Sequence, residues 1–464
     1  MDKFIQISAA VLVGAGLALA GGPPALGGIQ VYLDSLPMSG VQVEQGVTLA
    51  PVRTLAQATG ASLRWDASRK SATLMRGSDT LVLQAGSSRA LQNGQTLELK
   101  APALTGKAGL LAPALPLAQF LGLETQWLPE QRALALLSGI PKVYVANEYS
   151  DSVTVINAAT NRKIKDIPLV PLLDTMGDMP GMAGEGDGED HKEAKVIPHN
   201  VQVAPGGRYV YTANAGSNSL GVIDAYTDTL VAEIRVGDHP AHVVVSADGK
   251  TAFVTNGGAG TVSVVDLATR KIKATIPVGK SPHGLRISPD GREVYLANTN
   301  SNSVTVIDAA SLKAVAEIPV VSKPAQVGFT PNGRYLYVSN AHLGEDVQGH
   351  VSVIDTASRQ VLSNIAVGKT PIQVYSTPDG KFMYVANTGS NDVSVIEIAS
   401  GNLVKTIPAG KAAHGVVIAP DGRLVYVSNT EEGTVTVIEV ARQAVVATIP
   451  TQPGSNGISY RPGR

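Results

Sequence analysis

Eight histidines and not one cysteine set the chemistry open to this 464-residue chain. Without thiols there is no disulfide, no thiolate metal site and no sulfur nucleophile. Imidazole remains, and its neutral ring nitrogen suits copper or zinc. The histidines are His191, His199, His239, His242, His283, His342, His350 and His414. Soft ligands lie near the first of them: Met176, Met179 and Met182 recur every three residues in an acidic, glycine-rich stretch ending at His191. Thioethers favour Cu(I), and the carboxylates with His191 suit Cu(II) or a hard cation. The same stretch also reads as a solvated loop with no ligand at all. No spacing specifies a Ser–His–Asp arrangement. Gly184-x-Gly186-x-Gly188 lacks the strand before and helix after that a dinucleotide loop needs. A net charge of −1 without a basic stripe argues against nucleic acid as a partner.

The elements that must position these side chains come in repeats. Val143-Tyr144-Val145-Ala146-Asn147 recurs six times, from Val210, Ala252, Val294, Leu336, Met383 and Val425. Four of the six intervals are 42 residues, and the other two are 42 plus insertions of 25 and 5. Each unit reads as four strands: in one, His283–Ile287 (A), Glu293–Asn298 (B), Ser303–Asp308 (C) and Lys313–Val320 (D), with Ser288-Pro289-Asp290-Gly291 as the A–B turn. A period near 40 with four strands per unit is the signature of a propeller. The last A strand, at Gly457-Ile458-Ser459-Tyr460, has no B strand after it, and the first B strand has no A strand before it. Pairing the two closes the ring and hides both edges. The fold class expected is mainly β: a seven-bladed β-propeller preceded by a small α+β domain.

Chain direction then places the B–C loops and D–A connections on one face, here called the top. All eight histidines and both insertions, residues 170–195 and the segment His342–His350, map there. His199, His283 and His414 share one column of strand A, and His242 is one residue further along. Strand A is innermost, so these four could ring the mouth of the central channel and bind a metal. Alternatively each caps its own turn. The Asn ending each B strand (Asn147, Asn214, Asn256, Asn298, Asn340, Asn387 and Asn429) is expected to satisfy backbone groups of the B–C turn.

Ahead of the repeats, residues 1–20 read as an export signal, with Ala18-Leu19-Ala20 before Gly21 as the cleavage pattern. Its apolar run is too short to span a bilayer comfortably, so the mature chain is expected to be secreted or attached to the cell envelope, without a transmembrane span. Residues 27–138 hold a twofold repeat of period 62: Leu49-Ala50-Pro51 recurs as Leu111-Ala112-Pro113, Gly60 as Gly122 and Trp65 as Trp127. Each copy reads as a short helix, with proline in its first turn and glycine at its end, followed by strands.

This first segment resembles the copper amine oxidase N-terminal-like domain, a module of exported bacterial proteins. The resemblance implies attachment or interaction and brings no copper ligands; residues 27–138 contain no His. Residues 140–464 resemble the YVTN family of propeller repeats, named for tetrapeptides such as Phe253-Val254-Thr255-Asn256. That resemblance extends to the propellers of nitrous oxide reductase and a haem-carrying nitrite reductase. The absence of cysteine excludes the electron-entry copper domain of the former and any c-type haem attachment. Two readings follow. The first is a non-catalytic envelope protein whose top face binds a ligand, polymer or partner protein. The second is a copper-binding or metal-dependent redox protein with a histidine-lined site at the propeller mouth. A lactonase-type hydrolase is a third, more distant one.

Overall fold

A strand buried on both faces must be apolar or small along nearly its whole length. The B strands obey this: Glu293–Asn298 is buried at every residue after the first, and its six counterparts behave alike. The D strands do not. Lys313–Pro319 buries only Ile318, which makes it an outer, solvent-facing edge. This gradient orders each four-stranded sheet from a buried inner strand to an exposed rim. The computed structural model describes residues 29–172 and 195–463, so the export signal, Met176, Met179, Met182 and His191 lie outside the described residues.

The chain divides at Ile140/Pro141 into two compact units. The second carries seven four-stranded antiparallel sheets. Six are built from consecutive strands, and the seventh joins Arg162–Pro168, Ser152–Asn157 and Lys142–Asn147 to Ser455–Arg461 from the far end of the chain. There Val143 faces Tyr460, Tyr144 faces Ser459 and Val145 faces Ile458. The ring is a closed, seven-bladed propeller. Its apolar clusters lie between blades: Tyr144 and Val153 of blade one pack with Val201 and Val210 of blade two, while Val143 and Ile156 pack with Tyr426 and Val435 of blade seven.

One detail of the blades differs from expectation. The small polar residues alternating in strand C do not face solvent, because a neighbouring blade covers each face. They receive the repeated asparagines instead. The Asn256 Nδ2 donates to Ser263 Oγ at 2.9 Å, Asn298 to Thr305 Oγ1 at 2.7 Å and Asn429 to Thr436 Oγ1 at 2.9 Å. The asparagines thus tie strand B to strand C through side chains, not chiefly to turn backbone as anticipated; Asn340 alone also reaches the Val338 and His350 carbonyls. Blades one and two are further joined by a buried ion pair. Lys142 Nζ lies 2.8 Å from Asp228 Oδ2, and Tyr144 Oη donates to Asp228 Oδ1 at 2.7 Å. Burial, reinforced by Asp228, pushes the Tyr144 phenol well above its usual range.

In the first unit the helices are Val52–Thr59 and Ala114–Leu121, 62 residues apart. Pro51 and Pro113 stand one position earlier than expected, at the N-cap rather than in the first turn, because each also ends a strand. Those strands, Val47–Pro51 and Gly109–Pro113, pair antiparallel, which joins the two repeats through equivalent residues. Gly60 and Gly122 both adopt φ of 69° as C-caps, a conformation that glycine takes without Cβ strain. The opening strand, Gln30–Leu33, pairs parallel with Ala133–Leu137. Among the described residues no helix is long and apolar enough to cross a membrane.

Ring closure has a direct test. Ile458→Ala empties a buried position on the closing strand and is expected to cost about 2–5 kcal/mol. Denaturant unfolding of the full chain measures it, and a loss below about 0.5 kcal/mol would mean that this strand contributes little to the fold.

Candidate metal centre

Each A strand is entered in the same unusual way. Ile197, His239, Ser281, Lys323, Thr370 and Ala412 all have φ between 51° and 57°, and five of these six precede the proline that opens the strand. Proline disfavours the right-handed helical region for the residue before it. The strand then carries a bulge: pairing with strand B slips between Pro198 and Asn200, Pro240 and Val243, Pro282 and Leu285, and Ala413 and Val416. Bulges re-aim side chains at rims and beside sites. The four candidate histidines occupy these slips.

The result is convergence on the axis. His199 of blade two meets His242 of blade three at a ring-centroid distance of 5.6 Å, His283 of blade four at 5.1 Å and His414 of blade seven at 6.2 Å. His242 and His283 are 4.7 Å apart. One nitrogen from each of His199, His242 and His283 lies within 4.8 Å of the other two. Rings from non-adjacent blades can touch only across the channel.

Second partners fix the tautomers. His283 Nδ1 donates to the Ala325 carbonyl at 2.9 Å, which leaves its Nε2 lone pair free. That Nε2 is 3.1 Å from His199 Nε2. The Asn456 amide donates to Glu148 Oε2 at 2.6 Å and stands 3.2 Å from His199 Nδ1, so the metal-free His199 carries its proton on Nε2 and shares it with His283. Glu148 Oε1 waits 3.5 Å from His199 Nδ1, ready to accept a proton there if Nε2 is taken by another group. Gln326 accepts from the Val327 N–H through Oε1 and turns its amide nitrogen to His242 Nδ1 at 3.4 Å. His242 Nε2 and His414 Nδ1 are buried without a partner. Gly284 makes room for this support, since a Cβ there would come within 2.2 Å of Gln326 Oε1.

Burial, then the neighbouring imidazoles, disfavour the charged form of His242, His283 and His414. His283 is lowered to about 4, His414 to about 3, and His242 falls well below its usual value. Burial would raise Glu148, yet the adjoining His199 and the hydrogen bond from Asn456 outweigh it and bring the carboxyl to about 2. At neutral pH His242, His283 and His414 are therefore neutral and ligand-competent, and Glu148 beside the mouth is a carboxylate. Two nitrogens bound to one copper or zinc ion at ~2.0–2.1 Å stand about 3.0–3.4 Å apart, and the His199–His283 spacing already lies in that range.

Of the residues singled out from the sequence, His199, His242 and His283 come together, and His414 flanks them. His342 and His350 form a separate pair on blade five, with ring centroids 5.5 Å apart. Glu148 and Asn456 were not anticipated. Both are legible in the repeat, however. The residue after the B-strand asparagine is Glu148 in blade one and Ala, Gly or Thr in every other blade, and Asn456 occupies the histidine column of the closing strand.

Comparison with known proteins agrees with this architecture. Residues 27–136 match the copper amine oxidase N-terminal domain. Residues 132–269 and 180–348 match the lactonase seven-bladed β-propeller, and residues 345–463 match the YNCE-like β-propeller. The chain is a β-propeller protein with a copper amine oxidase N-terminal domain. Among solved structures, this propeller protein is similar to Kuenenia stuttgartiensis hydrazine synthase, at 24% identity and a TM-score of 0.54, over 61% of this chain and 93% of that one. It is also similar to a functionally unknown protein from Desulfotomaculum acetoxidans DSM 771, at 16% identity and a TM-score of 0.57, over 70% and 99% of the two chains. At these identities the likeness is one of fold. No curated protein matches the chain.

The depressed imidazoles give a signed pH dependence for the metal-free protein. Between about pH 6.5 and 4 the unfolded chain protonates His242, His283 and His414 while the folded chain does not, so stability falls as pH falls through that window. Imidazole NMR should find His283 and His414 unprotonated at pH 5.5; a titration of either near 6.5 would contradict the burial argument.

Proposed function

We propose that this is an extracytoplasmic copper-binding protein of the cell envelope, with the ion held by His199, His242 and His283 at the propeller mouth. One observation carries the reading: three imidazole nitrogens from three blades lie within 4.8 Å of one another. Three imidazoles suit copper and zinc alike, and at an N-ligand site copper(II) binds more tightly than zinc. An ion held by His199 Nε2 would leave the ring proton on Nδ1, facing Glu148, the carboxylate–histidine pairing that orients metal ligands. No cysteine supplies an electron relay, so holding or delivering the ion is the better-supported role than turnover. The N-terminal domain serves attachment to an envelope component, protein or polymer. Geometry thus raises the metal reading above the scaffold reading, which offered a face without a ligand.

Protein purified from its native compartment should contain about one copper per chain, and titration of the stripped protein should restore it. His199→Ala/His242→Ala/His283→Ala should abolish uptake while circular dichroism stays that of the folded propeller. A folded triple variant that still binds one equivalent at wild-type affinity overturns the assignment. Glu148→Gln, which keeps the shape and removes the charge, should weaken copper binding by roughly 10–100-fold. An unchanged affinity would remove Glu148 from the site.

A further inference from the structure

One rung below the imidazoles the channel holds a cation without a counter-ion. The residues facing the B-strand aromatics form a single column around the ring: Gln202, Val244, Arg286, Gly328, Tyr375, Val417 and Ser459. Arg286 is its one charged member. From blade four its Cζ reaches to 5.6 Å from the ring centre of Tyr375 in blade six. Its Nη1 donates to its own neighbour, the Leu285 carbonyl, at 3.1 Å. Among the described residues no carboxylate pairs with it, and the neighbouring Tyr375 favours its charged form. Burial nonetheless disfavours the charged guanidinium, and its field reaches His242 above.

Arg286 is half-buried, and a charge partly withdrawn from water is normally paired, because leaving it alone is costly. A guanidinium has five N–H donors in a planar fork, of which one is spent on the Leu285 carbonyl. The fork matches two coplanar oxygens. Among the described residues no side chain is hydrogen-bonded to the rest of the fork, which leaves it open to a partner from solution. We infer that the propeller channel is a binding site for a small planar oxyanion of the carboxylate type, held by Arg286 beneath the imidazole cluster. Tyr375 lies over the guanidinium as a cation–π partner. Arg286 lies three positions along strand A from His283, a rise of at most about 10 Å across the bulge, so the anion sits below the metal site and takes different donors. The inference does not depend on copper being bound.

The test uses the full chain stripped of metal by chelation, so that its outcome is independent of the copper assignment. Formate, acetate and nitrate are titrated calorimetrically and by thermal shift against sodium chloride of equal ionic strength. The planar anions should raise the melting temperature in a saturable manner, and chloride should not. Arg286→Gln should abolish the response, or weaken it at least tenfold, and Arg286→Lys, which keeps the charge without the fork, should weaken it several-fold. In anion-free buffer Arg286→Gln should melt no lower than the parent, because an unpaired charge has been removed. An equal response in parent and Arg286→Gln, or no saturable response in the folded parent, overturns the inference. Failure to bind copper with an intact acetate response would instead overturn the reading in the preceding section alone.

Discussion

Pairing between the two ends of the propeller is the constraint from which the remaining features follow. A four-stranded blade of this sequence cannot exist alone, because its B and C strands are apolar on both faces and need a neighbour on each side. Six blades have neighbours by succession. Blade one acquires its inner strand only when Ser455–Arg461 returns to Lys142–Asn147. That return also delivers Asn456 to Glu148 and Glu148 to His199, so closure and assembly of the site are one event. The buried Lys142–Asp228–Tyr144 contact then locks the seam on its other side.

Electrostatically, the channel mouth is built to keep imidazoles neutral. Crowding several of them in a buried space disfavours protonation twice, through desolvation and through mutual repulsion. Nothing about folding demands such crowding, because the equivalent positions of the other blades carry Ala241, Ala325 and Ile372. A ring that merely needed filling would use those residues throughout. The orphaned nitrogens of His242 and His414 sharpen the point, since buried polar atoms without partners are uncommon where they have no use.

Much of this was legible from residue types and spacing. The period, the blade count, the closing strand and the convergence of His199, His242 and His283 all follow from a 42-residue unit and the direction of its strands. What the linear reading missed was the meaning of exceptions within columns. Glu148 stands alone after its asparagine and Arg286 alone in its rung, but a repeat is first read for what recurs. The role of the asparagines was misjudged for a different reason. Strand C looks half polar on paper, and only the packing of blade on blade shows that Ser263, Thr305 and Thr436 are buried and available to an amide.

Charge placement along the axis gives the channel a direction. Glu148 puts a fixed negative charge beside the mouth, and Arg286 puts a fixed positive one deeper in, with uncharged imidazoles between. Low-dielectric walls concentrate such a field. A cation entering from the top would be attracted by Glu148 and repelled from going deeper by Arg286. For an anion the two charges would act in the opposite sense. Separating a cation and an anion along one narrow bore requires charges of opposite sign at different depths, and the repeat supplies them because each rung of the ring can mutate in one blade without disturbing the other six.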